Sequence, residues 1–259
     1  MTPDDQLSMQ LDPARPGLTT PLLPMLPRTI VAPFDDADYL FEPWWGGERA
    51  FASIESAGDA SGTAGAAGAG TGALRIVDRR GRDVAPVLPE LAGPGGLADR
   101  LGGHSVVLDG CLVVVDDRGR PDPTALTARL AGRTGATVVY LAFDIVGLDG
   151  RPLLAEPLEK RRERLERTVE QGGSVVVVPA IPGEGRALHA AATAQGIPAI
   201  MGRHRRSPYL PGVRSRLWRL APAAAEPTAG PRALAAAPTP AGAGPILALI
   251  RRLPFEDAD

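Results

Sequence analysis

Few residues in this 259-residue chain are equipped for nucleophilic or acid–base chemistry. Of 28 basic residues only Lys160 is a lysine and the other 27 are arginines, so a reaction needing a lysine amine has one candidate. Arginine stays protonated; it can clamp a phosphate but cannot attack as an amine. The single Cys111 lies among valines in a strand-like run, where a thiol behaves as a small hydrophobe and no neighbour in sequence would lower its pKa. His104, His189 and His204 are scattered without ligand spacing, and there is no Gly-x-Ser-x-Gly elbow and no P-loop. The densest charge feature is 203–219, where Arg203, Arg205, Arg206, Arg214, Arg216 and Arg219 meet no acid. Guanidinium forks at that density suit the phosphates of DNA or of a nucleotide; a solvated basic face is the other reading.

These residues need elements to position them. Residues 49–54 and 74–77 read as two strands, and the Gly/Ala/Ser/Thr stretch 57–73 between them as a flexible hairpin tip. From His104 a β-branched run enters the turn Asp116-Asp117-Arg118-Gly119, and a second strand, 137–146, ends at the turn 147–150. Residues 156–171 read as a surface helix, with Pro157 in its first turn, apolar Leu158, Leu165 and Val169, and a Glu163–Arg167 pair at i,i+4. Lys160, roughly 200° round that helix from Leu158, faces solvent. A strand at 174–178, an Ala-rich helix at 184–194 and strands at 197–202 and 216–220 complete the pattern. Strands outnumber helices and the hairpin turns imply antiparallel pairing, so the class is α+β, with antiparallel sheets flanked by helices.

Gly and Pro make up more than a fifth of the chain, aromatics 4%, and the net charge is −2, which argues against a histone-like nucleic-acid coat. One cysteine excludes an intramolecular disulfide and a Cys-based zinc cage, and fits a reducing cytoplasm. No run approaches the ~18 apolar residues of a membrane span. Asp4, Asp5 and Asp12 stand where a signal peptide would be positive, so the chain reads as soluble and cytoplasmic. Residues 1–20 read as a flexible leader, 21–222 as the ordered domain, and 223–259 as a disordered Ala/Pro-rich tail. The tail's end, ILALIRRLPFEDAD, is frayed or else a docking peptide.

Five blocks in order carry more information than any single motif: PMLPRTIVAPFDDADYLFEPWWGGERA, LRIVDRRGRDVAPVLPEL, VVLDGCLVVVDDRGRPD, YLAFDIVGLDGRPLLAEPLEKRRERLE and GIPAIMGRHRRSPYLPGVRSRLWRL. Together they resemble the adenylation domain of bacterial ATP-dependent DNA ligases across residues 21–222. The resemblance implies an ATP-grasp-like nucleotidyltransferase architecture, with ATP and Mg²⁺ as the family's ligands. The family motif Lys-x-Asp-Gly-x-Arg, whose lysine attacks the α-phosphate of ATP, aligns with Trp44-Trp45-Gly46-Gly47-Glu48-Arg49. An indole has no available lone pair for phosphorus, so the position of the nucleophile holds none.

Other charged positions depart in the same direction. The family's Glu after Leu-Asp-Gly is Cys111, and its Glu-Gly-Ile-Val-x-Lys block is Pro198-Ala199-Ile200-Met201-Gly202-Arg203. Both glutamates, which help bind ribose or metal, are absent, leaving Mg²⁺ without its carboxylates. Trp-Leu-Lys-x-Lys becomes Trp218-Arg219-Leu220-Ala221-Pro222. The resemblance retains a nucleotide-binding set: Glu42 at the adenine edge, Arg49 closing the motif, Arg79 from a Ser-Arg-Asn-Gly block, Phe143 as the adenine-stacking ring, and Arg203 in the frame of the lysine. Phe143 also reads as an ordinary core residue, and Glu42 as a turn cap.

The resemblance together with these departures implies a catalytically inactive adenylation-domain homologue acting as a binding or regulatory module in DNA repair, and the charge of the six arginines offers the contact with DNA. The alternatives are an active ligase or nucleotidyltransferase using another residue or a partner, and an interaction partner of repair proteins. Residues 223–259 are too few and too low in complexity for the OB domain that follows in working ligases.

Overall fold

The computed structural model of the chain describes residues 22–54, 73–223 and 242–254. The leader 1–20, positions 57–72 of the hairpin tip, and 224–241 and 255–259 of the tail lie outside the described residues. The first strands are β1 (Leu26–Thr29) and β2 (Asp36–Trp44), followed by a Gly46-Gly47 turn into β3 (Glu48–Ile54). Gly47 has φ +85° and a Cβ there would stand 2.3 Å from the Leu112 carbonyl oxygen, so only glycine fits. β3 pairs antiparallel with β4 (Arg75–Asp78), as the hairpin reading expects. Short helix α1 (Pro89–Ala92) leads to β5 (Val106–Val113), and α2 (Pro123–Leu130), capped by the Asp122 carboxylate, leads to β6 (Val139–Leu148). Then come β7 (Arg151–Pro152), α3 (Leu158–Thr168), β8 (Val175–Val177), β9 (Ile181–Gly183), α4 (Gly185–Ala194), β10 (Ala199–His204), β11 (Arg214–Pro222) and α5 (Gly244–Ile250).

The strands form two sheets, one ordered β1-β11-β10-β2-β9 and one ordered β4-β3-β5-β6-β7 with β8 beside β6. Pairing among the described strands is antiparallel except for β1 with β11 and β6 with β8, so the class is α+β with mainly antiparallel sheets. Side-chain alternation on β5 and β6 explains their continuous apolar runs, because both faces are buried. Leu108, Leu112, Tyr140 and Ala142 pack into one core with Leu165 of α3. Cys111, Val113, Leu141 and Phe143 point the other way, into a second core that holds Tyr39 and Phe41 of β2 and Ile200 of β10.

Two expectations need correction. α3 begins after Pro157, which is its N-cap, and Val169 is an extended, buried C-cap. The helix is no plain surface element: Arg161 and Arg162 are buried, because they share the face of Leu158 and Leu165 at i+3 and i+4 spacing and find carboxylates there. The C-terminal segment is the second correction. Residues 244–250 are helical, and Ile246, Leu249 and Leu253 share the core of Trp45 and Val115 rather than fraying as a tail. Their i, i+3, i+7 spacing gives one apolar stripe, and Pro245 opens the helix. No helix of the described residues is long and apolar enough to cross a membrane.

Two outcomes follow from this packing. Leu249→Ala removes a fully buried side chain from the face that α5 docks and is expected to cost about 2–5 kcal/mol, read as a lower urea midpoint at unchanged m-value. An unchanged midpoint would mean that α5 is not docked. Burial pushes the Cys111 thiol up to about 12. Its thiolate fraction at pH 8 is then roughly one in ten thousand, so a disulfide reagent should titrate no thiol in the native chain and one after denaturation.

Candidate functional site

The site forms where the two sheets face each other. Glu42 lies mid-strand in β2, is 3% exposed, and has no role in a turn. Its carboxylate stands 3.0 Å from Arg162 Nη1 of α3 and 2.7 Å from Arg203 Nη1 of β10. Burial pushes its pKa up, and the guanidinium groups of Arg203 and Arg162 oppose that. Arg162 also donates to the carbonyls of Phe143 and Val178, so this one side chain ties the helix to both sheets.

Phe143 is flanked by cations. The Arg203 guanidinium carbon is 4.1 Å from its ring centroid and that of Arg49 is 4.6 Å away. Arg49 is held in turn by a two-point fork onto the fully buried Asp109, with Nε–Oδ1 and Nη2–Oδ2 both 2.5 Å, and Tyr209 donates its hydroxyl to the same carboxylate at 2.6 Å. Behind this layer Arg161 makes a second buried fork to Asp144, at 2.9 and 2.8 Å. The cavity left between Glu42, Trp44, Trp45, Cys111, Phe143 and Arg203 is about 10 Å³, room for roughly one water.

The structure therefore brings Glu42, Arg49, Phe143 and Arg203 together, with each charged member already paired inside the protein. Arg79 is 63% exposed, pairs with Glu48 at 3.1 Å, and does not line the cavity. Trp45 is buried and donates its indole N–H to the Gly119 carbonyl at 3.0 Å, whereas Trp44 is half-buried at the cavity wall. Lys160 is 58% exposed and bonded to Glu163, so the one lysine faces solvent as its helical position requires.

Of the six arginines of 203–219, Arg203 is corrected: it is 2% exposed and turned inward, and so cannot meet DNA. Arg206, Arg214 and Arg216 are exposed, Arg205 pairs with Glu159, and Arg219 lies over Phe34 and Tyr39. Among the described residues no group of three or more His, Cys, Asp or Glu could hold a metal ion.

Sequence reading missed Arg162, Tyr209 and Arg28. The spacing of Arg162 from Leu158 and Leu165 was the available signal, since a charge on an apolar stripe must find a buried partner. Arg28 carried none: it reaches the basic strand only because β1 adds in parallel to β11, placing it opposite Arg219.

Residues 67–219 match the model of the ATP dependent DNA ligase domain. The multifunctional non-homologous end joining DNA repair protein LigD of Mycobacterium tuberculosis is 33% identical over 214 residues, covering 83% of this chain and 24% of that protein. The chain thus spans about a quarter of the length of that relative. The SPbeta prophage-derived DNA ligase-like protein LigB of Bacillus subtilis is 27% identical over 199 residues, 75% of this chain and 65% of that protein. A solved mycobacterial DNA ligase D complexed with ATP and MES superposes with a TM-score of 0.62 at 30% identity, covering 78% of this chain and 60% of that one. With the fold shared and more than half of its residues matched, the chain belongs to the ATP dependent DNA ligase domain family.

Proposed function

We propose that this chain is a ligase-family domain that has given up nucleotidyl transfer and serves as a cytoplasmic DNA-binding module in repair. The observation that carries this reading is Phe143, flanked by the guanidiniums of Arg49 and Arg203 beside a cavity of about 10 Å³. A nucleoside stacked on that ring would have to displace at least one of these cations from a buried carboxylate, a loss of several kcal/mol. Trp44 supplies no nucleophile, and the exposed Lys160 is engaged with Glu163. The residues present therefore do not fit ATP as a covalent donor, and no carboxylate group is assembled for its metal among the described residues.

DNA remains as the ligand that the exposed charge suits. Arg214 and Arg216 project from β11, Arg28 stands opposite Arg219 in the β1–β11 ladder, and Arg206 follows β10. Guanidinium groups on the edge strand β1, on its neighbour β11 and just after β10 can meet a phosphate backbone without reading its sequence. The end joining and DNA repair for which the mycobacterial relative LigD is named support the same setting.

Incubation with α-labelled ATP and Mg²⁺ should leave the chain unlabelled after denaturation, and millimolar ATP should not move its Tm. Label that survives denaturation would restore the active-ligase reading. For duplex DNA, affinity should fall steeply with salt. The Arg206→Ala/Arg216→Ala variant should flatten the log–log salt slope by about 0.9 for each phosphate that is no longer neutralised. Binding that ignores salt would exclude these arginines as the phosphate contact.

A further inference from the structure

Arg203 combines three features seldom found together in one long basic side chain. It is 2% exposed, its guanidinium carbon lies 4.1 Å from the Phe143 centroid and 4.5 Å from that of Trp218, and Nη1 is 2.7 Å from Glu42 Oε1. The walls come from separate elements. Phe143 stands on β6 of one sheet, and Trp218 lies directly across the β10–β11 ladder from Arg203 in the other. Glu42 is on β2, opposite Met201, two positions along β10 from Arg203. Nη1 donates to the Phe143 carbonyl at 3.4 Å, while neither Nε nor Glu42 Oε1 has a hydrogen-bond partner among the described residues, so Arg203 and Glu42 meet as an ion pair. Two ring faces and a carboxylate thus enclose a flat, delocalised cation. An ammonium would meet the carboxylate as a point charge but would not stack.

We propose that the Phe143–Trp218–Glu42 slot is a recognition site for planar amidinium-type cations, and that its resident ligand is the chain's own Arg203. The domain is self-liganded: Glu42 keeps a second partner in Arg162, and the occupant holds the two sheets together from within. The assignment does not rest on the loss of nucleotidyl transfer. An ATP-labelled chain would count against both, because a base stacked on Phe143 competes with Arg203 for the same ring, whereas a failed replacement of Arg203 by a small guanidinium would overturn the slot alone.

The test is chemical replacement in the full chain. Arg203→Ala should be less stable than the parent and should regain Tm saturably with methylguanidinium. The expected rise is about 3–6 °C when the probe stands at ten times its Kd. Methylammonium at equal concentration should give no saturable rise, the parent chain should respond to neither, and Glu42→Gln in the Arg203→Ala background should abolish the response. Equal effects of the two cations, equal responses of variant and parent, or no saturable rise in a folded variant would each overturn the proposal. Should Arg203→Ala fail to fold, nitrogen-15 NMR of the parent chain decides. The Arg203 Nε–H signal, assigned through its backbone, should be shifted upfield by the two rings and show slow rotation of the guanidinium. A bulk-like, freely rotating signal would overturn the assignment.

Discussion

The Glu42 carboxylate, removed from water and shared between Arg162 and Arg203, is the constraint on which the site's architecture depends. An isolated charge in that position would cost several kcal/mol, so each element bringing a guanidinium must dock before the charge is tolerable. Arg162 draws α3 onto β6, and Arg203 draws β10 towards Phe143 on the facing sheet. The neighbouring forks, Arg49 with Asp109 and Arg161 with Asp144, repeat this logic one layer away. Removing one partner would leave an uncompensated buried charge, so the cluster enforces a single arrangement of its strands more than it adds net stability.

That arrangement has a chemical consequence. A ring that could stack a base is occupied on its Arg203 side by a group with the base's own planarity, whose charge is paired with the carboxylate at its edge. Arginine can do this because its charge is delocalised over a flat fork; a lysine in the same frame would leave most of the ring face open. The filled ring face and the absence of an amine at position 44 come from separate elements, β10 and the end of β2.

The mainly antiparallel α+β class, the hairpin of β3 and β4, the β5–turn unit, α4 and the solvent-facing Lys160 were legible from periodicity, because each depends on a few neighbouring residues. The inward turn of Arg161 and Arg162 was half legible: their spacing from Leu158 and Leu165 marks them as core-facing, but a run of charges reads as a solvated face until a buried partner is known. The docking of α5 was hidden for a similar reason. Its short apolar stripe is too weak to order alone, and Trp45 and Val115, which receive it, lie far away in sequence.

By itself the sequence determined what chemistry is unavailable. Residue identity suffices to show that Trp44 offers no amine, that Lys160 is the one lysine, and that 203–219 is strongly basic. Tertiary structure alone decided which of six similar arginines is interior and that the cavity beside Phe143 is about 10 Å³. Arg162 meets Glu42 across 120 residues and Arg203 meets Phe143 across 60. Whether a charged side chain is buried depends on a counter-charge delivered from that distance, and local spacing carries no record of it.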